Sequence, residues 1–308
     1  MIPFFIFLTY SILSQSVHVI ITFEGRLWQQ EIRELLTKNS TCSSNDVDFV
    51  WRQNPGAVSL PTDFGVVRFT FTSTLSVFES YKECIHREIP SVRRIDIDSL
   101  PDTRNMQSTG LFGDSETDNQ GEIKSNSKSC RFDVHFRVIR PFKDNEIKNN
   151  GRNLLYKAPD KFIPASIATP LHSRGYYGQG VNVAIFDSGM VDPHPHFKHV
   201  RERTDWTTDK TIDDNVGHGS FVAGVVAGTS QECPGIAPES NLFIFRVFST
   251  SQQSYTSWFL DAFNYALFLE IDVINFSIGG PDSKDSPFTD KINELSANGI
   301  IVISAVGE

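Results

Sequence analysis

Two side chains in this sequence have the types and setting for proton-transfer chemistry. An aspartate closes the apolar run at Phe186-Asp187-Ser188-Gly189, and a histidine stands between glycines at Gly217-His218-Gly219, 31 positions later (218 − 187). A carboxylate at a strand end can hold an imidazole in one tautomer and stabilise its protonated form, while the other ring nitrogen acts as a general base. A third stretch, "NFSIGG", ends in Ser277, Ile278, Gly279 and Gly280. Such a glycine-rich strand end leaves backbone groups free, the kind an extended peptide pairs with. A different chemistry is conceivable for His194, His196 and His199 in "DPHPHFKH", since clustered imidazoles suit a metal. Pro193 and Pro195 break the spacing a helical ligand pair needs, which favours a turn and helix start there. Asp282 and Asp285 read as a solvated acidic loop.

These residues need a scaffold. Four apolar runs, "VNVAIFD", "NLFIFRVF", "DVINFSI" and "IIVISAV", read as buried parallel strands, with helical stretches such as "SWFLDAFNYALFLE" and "PFTDKINELSANG" between them. Strands alternating with helices predict a parallel α/β sheet whose sites lie at the C-terminal strand ends. Asp187 falls at such an end. The small residues Ser220, Ala223, Gly224, Ala227 and Gly228 predict that the helix after His218 packs closely against a neighbour. Earlier in the chain, residues 17–98 alternate strand-like and helix-like stretches in the order β-α-β-β-α-β, the ferredoxin-like α+β arrangement. Residues 99–155 are rich in Ser, Asn, Asp and Gly and read as a polar linker.

Composition narrows the function classes. The 308 residues carry a formal net charge of −9, which argues against nucleic acid as a partner. The apolar run from Ile2 to Leu13 is too short to span a bilayer; with Ser14-Gln15-Ser16 it reads as a signal peptide over 1–16, the alternative being a buried strand or helix. No later stretch is apolar enough to span a membrane. Cys42, Cys84, Cys130 and Cys233 suit a secretory chain and allow three pairings, among which the sequence does not choose. Asn39 opens a glycosylation sequon; the sequon at Asn275 lies inside a strand-like run and is expected to go unused.

The segments "VAIFDSG", "GHGSFVAGVVAG", "GIAPESNLFIFRVF" and "INFSIGG" resemble the subtilisin-like serine proteases, in that family's order of Asp before His before Ser. Longer stretches such as "SYTSWFLDAFNYALFLEIDVINFSIGGPD" are similar to the branch of the family that works in the Golgi. The resemblance implies a subtilisin-like α/β catalytic region over 156–308, with Asp187 as triad carboxylate, His218 as general base and Ser277 to Gly280 as the substrate-binding strand. It implies that the ferredoxin-like unit is a propeptide that assists folding and inhibits the enzyme. It also implies a self-cleavage site at "GRNLLYK", through Arg152, Leu154 and Leu155, protein substrates, and residence in the lumen of the endoplasmic reticulum and Golgi. No cofactor is required for such chemistry; structural calcium is a family trait, although no EF-hand-like loop is present. The family follows "VISAVG" with an oxyanion-stabilising asparagine, where this sequence has Glu308, and none of its serines stands in the family's nucleophile context. The expectation is an incomplete chain with acid and base but no nucleophile. The alternatives are an inactive product whose propeptide unit inhibits or regulates, and a metallohydrolase built on the histidine cluster.

Overall fold

The computed structural model describes residues 15–38, 42, 47–71, 75–98, 164–230, 234–277 and 285–305. The chain divides into two compact units, one of Met1–Gln53 with Ala57–Ser99 and one of Asn54–Gly56 with Leu100–Glu308. The linker reading over 99–155, Asn39, Arg152, Leu154, Leu155, Ile278, Gly279, Gly280 and Glu308 lie outside the described residues. So does the apolar run of the expected signal peptide, whose last two residues, Gln15 and Ser16, open the first strand.

In the first unit β1 (Gln15–Leu27), α1 (Gln29–Lys38), β2 (Val47–Phe49), the short α2 (Pro55–Ser59), β3 (Thr62–Phe71), α3 (Leu75–Glu88) and β4 (Val92–Ile97) follow one another. The sheet order is β2-β3-β1-β4, with every neighbouring pair antiparallel. This is the ferredoxin-like βαββαβ topology. Alternation along β1 sends Val19, Ile21 and Phe23 to the face shared with Ile32 and Leu36 of α1 and Tyr81 and Ile85 of α3. At Gly65 on β3 a Cβ would stand 2.6 Å from Ile32 Cγ2, so the helix lies too close for any side chain there. A disulfide joins Cys42 to Cys84 and ties the segment after α1 to α3.

The second unit contains α4 (Pro164–His172), β5 (Asn182–Asp187), β6 (Val200–Asp205), α5 (His218–Ala227), β7 (Asn241–Arg246), α6 (Thr256–Phe268), β8 (Val273–Phe276), α7 (Ser286–Ala297) and β9 (Ile301–Ser304). Its sheet is parallel throughout, in the order β6-β7-β5-β8-β9. The four apolar runs are β5, β7, β8 and β9, but β9 is not buried as expected: it is the edge opposite β6, paired on one side only, and Ile301 is exposed. The fifth strand, β6, carries Arg201, Glu202 and Arg203 and lacks their apolar signature. It forms the sheet's other edge, where a strand pairs on one side only and tolerates charge.

Both faces of this sheet are covered. Val183 and Ile185 of β5 pack with Ala223 and Ala227 of α5. Their alternates Ala184 and Phe186 pack into an aromatic core with Phe259 and Phe263 of α6 and Leu295 of α7. The chain moves from β5 to β7 on one side of β5, then crosses to β8 on the other. Open parallel sheets bind ligands in the crevice at such a reversal, here the C-terminal end of β5. Asp187 ends β5 there.

The small-residue run after His218 is crowded at fewer positions than its pattern predicts. A Cβ on Gly219 would fall 2.1 Å from Gly189 O, and one on Gly235 would fall 2.6 Å from Gly228 N. Gly224 has nothing within 4 Å of its missing Cβ. Close packing therefore accounts for Gly219 and not for Gly224.

Candidate active site

Asp187 is the last residue of β5 and its side chain is 2% exposed. Its backbone carbonyl accepts from Val247 N at 2.9 Å, which anchors the strand end to the residues after β7. Its carboxylate accepts from Ser188 N at 2.8 Å. His218 opens α5, and its Nδ1 lies 2.8 Å from Asp187 Oδ1 and 2.9 Å from Oδ2. A buried ionised carboxylate accepts, so this contact selects the tautomer with the proton on Nδ1. Nε2 then keeps the lone pair, and the imidazole is 32% exposed. The hydrogen bond to Asp187 raises the imidazole above the ordinary histidine value; burial opposes the rise, and the charges of Asp187 and Asp214 add to it.

Local backbone chemistry delivers the histidine to this position. Gly217, the N-cap of α5, has φ 92°, a left-handed conformation that costs other residues energy. Its missing Cβ faces open space, so the dihedral and not crowding calls for glycine. Gly219 then brings the first turn of α5 against Gly189, two residues after Asp187 ends β5.

A second buried carboxylate, which the sequence did not single out, lies beside the pair. Asp214 is 8% exposed, whereas its neighbour Asp213 has a side chain 63% exposed. Burial alone would raise the Asp214 carboxyl, but hydrogen bonds from Ser220, Gly217 and Ser188 hold it below the ordinary aspartate range. The available signal was an acidic residue four positions before His218, and nothing in "DDNVGHG" separates the two aspartates. Arg203 of β6 was also missed. Its guanidinium donates to Met190 O at 2.6 Å, to Asp192 Oδ2 at 2.9 Å, to Asp213 Oδ1 at 3.1 Å and to Ile212 O at 3.2 Å. One side chain thereby ties the loop after Asp187 to the loop before His218.

The other sequence-derived residues separate. Ser277 follows β8, and its hydroxyl accepts from Asn275 Nδ2 at 2.9 Å. Asn275 itself pairs with Ile185 and Ile303 within the sheet, and it is half-buried. The histidine cluster makes no metal cage: His196 N donates to His194 Nδ1 at 3.2 Å, and among the described residues no three His, Cys, Asp or Glu converge as a metal site. Asp285 is not a solvated loop acid. It caps α7, its carboxylate accepting from Phe288 N at 3.1 Å, because a helix start has unpaired N–H groups to satisfy.

The arrangement can accept a proton at Nε2 and stabilise the resulting imidazolium. Among the described residues no hydroxyl bonds to His218: Ser188, next to Asp187, and Ser220, two residues after His218, both donate to Asp214.

Residues 178–308 match the family model described as the subtilase family. The membrane-bound transcription factor site-1 protease of Homo sapiens is 54% identical over 160 residues, covering 52% of this chain and 15% of that protein. Subtilisin-like protease SBT6.1 of Arabidopsis thaliana is 41% identical over 261 residues, covering 84% of this chain and 24% of that protein. Subtilisin of Bacillus pumilus is 33% identical over 144 residues, covering 46% of this chain and 52% of that protein. The chain thus spans between 15% and 24% of the first two relatives. By its sequence, the segment 178–308 belongs to the subtilase family.

Proposed function

We propose that this chain carries the acid–base half of a subtilisin-type serine endopeptidase acting in the secretory pathway. The observation that carries the reading is the 2.8 Å contact between His218 Nδ1 and a carboxylate 2% exposed at the crevice end of a parallel strand. In the reaction a serine hydroxyl attacks the scissile carbonyl and His218 takes its proton at Nε2. Asp187 stays ionised and stabilises the imidazolium, which then protonates the leaving amine. The substrate runs extended beside the backbone of Ser277 to Gly280. The nucleophile comes from residues beyond those described.

Further parts of the reading rest on the relatives. Likeness to site-1 protease supports cleavage after sequences with Arg four residues before the cut and Leu nearby, and processing at Arg152, Leu154 and Leu155. The first unit is read as the propeptide. Its Cys42–Cys84 disulfide suits an oxidising lumen, as do the sequon at Asn39 and the apolar N-terminus. No helix among the described residues is long and apolar enough to cross a membrane. No cofactor enters the chemistry; calcium, if bound, is structural.

A second reading is that the first unit is the working part, an inhibitor or regulator of an active relative. Its own core and disulfide favour this. A fluorophosphonate probe and a peptide with Arg four residues before a Leu cleavage point test both. The 308-residue chain alone should not label or cleave. Extended with the segment of human site-1 protease that follows the match, it should do both and lose both with His218→Ala. A folded chimera that never labels refutes the enzyme reading. Inhibition of an active relative by the unextended chain favours the second.

A further inference from the structure

We propose that Asp214 is a positioning residue for the Asp187–His218 pair, its buried carboxylate bracing the strand end that carries the acid against the helix start that carries the base. The inference rests on the acid–base reading of that pair. Five donors converge on Asp214: Ser188 Oγ at 2.8 Å, Val216 N at 3.1 Å and Gly217 N at 2.7 Å on Oδ1, with Ser220 N at 2.8 Å and Ser220 Oγ at 2.7 Å on Oδ2. The two hydroxyls belong to different elements, Ser188 following β5 and Ser220 lying in the first turn of α5.

Each hydroxyl has one proton, and each gives it to Asp214. Its lone pairs then serve the opposite element. Ser188 Oγ accepts from Gly219 N of the helix at 3.0 Å, and Ser220 Oγ accepts from Val191 N of the strand-end loop at 2.9 Å. The result is a reciprocal brace: strand side to helix side, helix side to strand side, both closed through one carboxylate. It lies around the two catalytic candidates in sequence, Asp187 beside Ser188 and His218 between Gly217 and Gly219.

An anion is required at the centre. All five groups are donors, so an acceptor-only side chain satisfies them. Asparagine would turn an NH2 group toward hydroxyl and N–H donors and leave one arm of the brace unpaired. The N-cap residue of α5, Gly217, has no side chain to bond the first-turn N–H groups. Asp214 takes that place from outside the helix, where the macrodipole also favours negative charge. Its charge reaches His218 as well. The ionised groups acting on that imidazole are Asp187 from β5 and Asp214 from the loop before α5.

The test is NMR on the isotope-labelled 308-residue chain. Asp214→Asn should lower the midpoint of the His218 imidazole titration and speed amide exchange at Gly217, Gly219 and Ser220 by tenfold or more. Glu239→Gln, an exposed change away from both loops, should alter neither. If Asp214→Asn does not fold, Ser220→Ala removes one hydroxyl arm and should speed exchange at Val191 and Gly219 by a smaller factor. A folded variant with wild-type His218 midpoint and wild-type exchange at these amides overturns the proposal. Asp187→Asn separates this from the acid–base reading: if it leaves His218 unmoved while Asp214→Asn frees the amides, the brace stands and the acid–base pair falls.

Discussion

Replacing Arg246 by Met removes the guanidinium at the centre of a buried polar knot beside the site, and its cost follows from the partners it leaves. The Arg246 side chain is 1% exposed at the end of β7. It donates to Thr207 Oγ1 at 2.7 Å, Asp205 Oδ1 at 3.1 Å, Asp209 Oδ2 at 2.6 Å and Thr250 Oγ1 at 3.2 Å. Removing one partner of a buried ion pair costs about 3–5 kcal/mol, since the other charge remains desolvated. The low end applies here, because the carboxylates keep other donors. Asp209 retains Thr250 N at 2.7 Å, and Asp205 retains Thr207 N at 3.0 Å and Thr211 N at 3.1 Å. A loss of about 3 kcal/mol corresponds to roughly 100-fold in an opening equilibrium. Native-state hydrogen exchange at the β7 amides reads it without assuming that two units unfold together.

The pH dependence adds a second signature. Burial raises the Asp209 carboxyl, but Arg246 and Thr250 outweigh it and hold the group below the ordinary aspartate range. A depressed carboxyl stabilises the fold above its unfolded pKa and loses that contribution as pH falls through its folded value. Arg246→Met removes the Arg246 hydrogen bond and charge from that depression and leaves the Thr250 bonds, so the gap between wild type and variant should narrow as the solution is acidified below the aspartate range. Acceleration at the β7 amides under fivefold near neutral pH, or a gap that does not change with acid, refutes the reasoning.

Other outcomes follow from the same geometry. His218 is raised above the ordinary histidine value and must be neutral to act, so kcat/KM of an extended, active chain should fall on its acid side with a midpoint above about 6.5. Gly224→Ala, with no atom within 4 Å of the new Cβ in mid-helix, should stabilise by about 0.5–1 kcal/mol, whereas Gly217→Ala, at φ 92°, should cost about 1–2 kcal/mol by denaturant unfolding. Reducing Cys42–Cys84, separated by 42 residues, should destabilise the first unit by about 4 kcal/mol, seen as accelerated exchange at β1 amides. Incubated with an active relative, the chain should be cut after Leu155, and Arg152→Glu should abolish the cut when the products are sized by mass spectrometry; unchanged cleavage removes Arg152 from the recognition.

Much of this was legible in one dimension because the relevant physics is local. Strands inside a sheet covered on both faces must be continuously apolar, so β5, β7 and β8 announce themselves, and with them the strand end that holds Asp187; β9 is as apolar in sequence but lies at the sheet's edge with Ile301 exposed. The βαββαβ order of the first unit followed from alternation and helical spacing in the same way. A histidine after a glycine at a helix start is also a local pattern, and its left-handed N-cap explains the glycine. What needed the tertiary structure was every choice among chemically equal residues. β6 was hidden because an edge strand carries charges that resemble a loop's. Asp213 and Asp214 are identical in type and adjacent, yet one is exposed and the other gathers five donors. Nothing in the sequence marks Arg203 or Arg246 as the anchor of a hydrogen-bond network, and Cys42 had three possible partners. Hydrogen-bond directions and burial depend on where segments far apart in sequence meet, and one-dimensional spacing does not contain that distance.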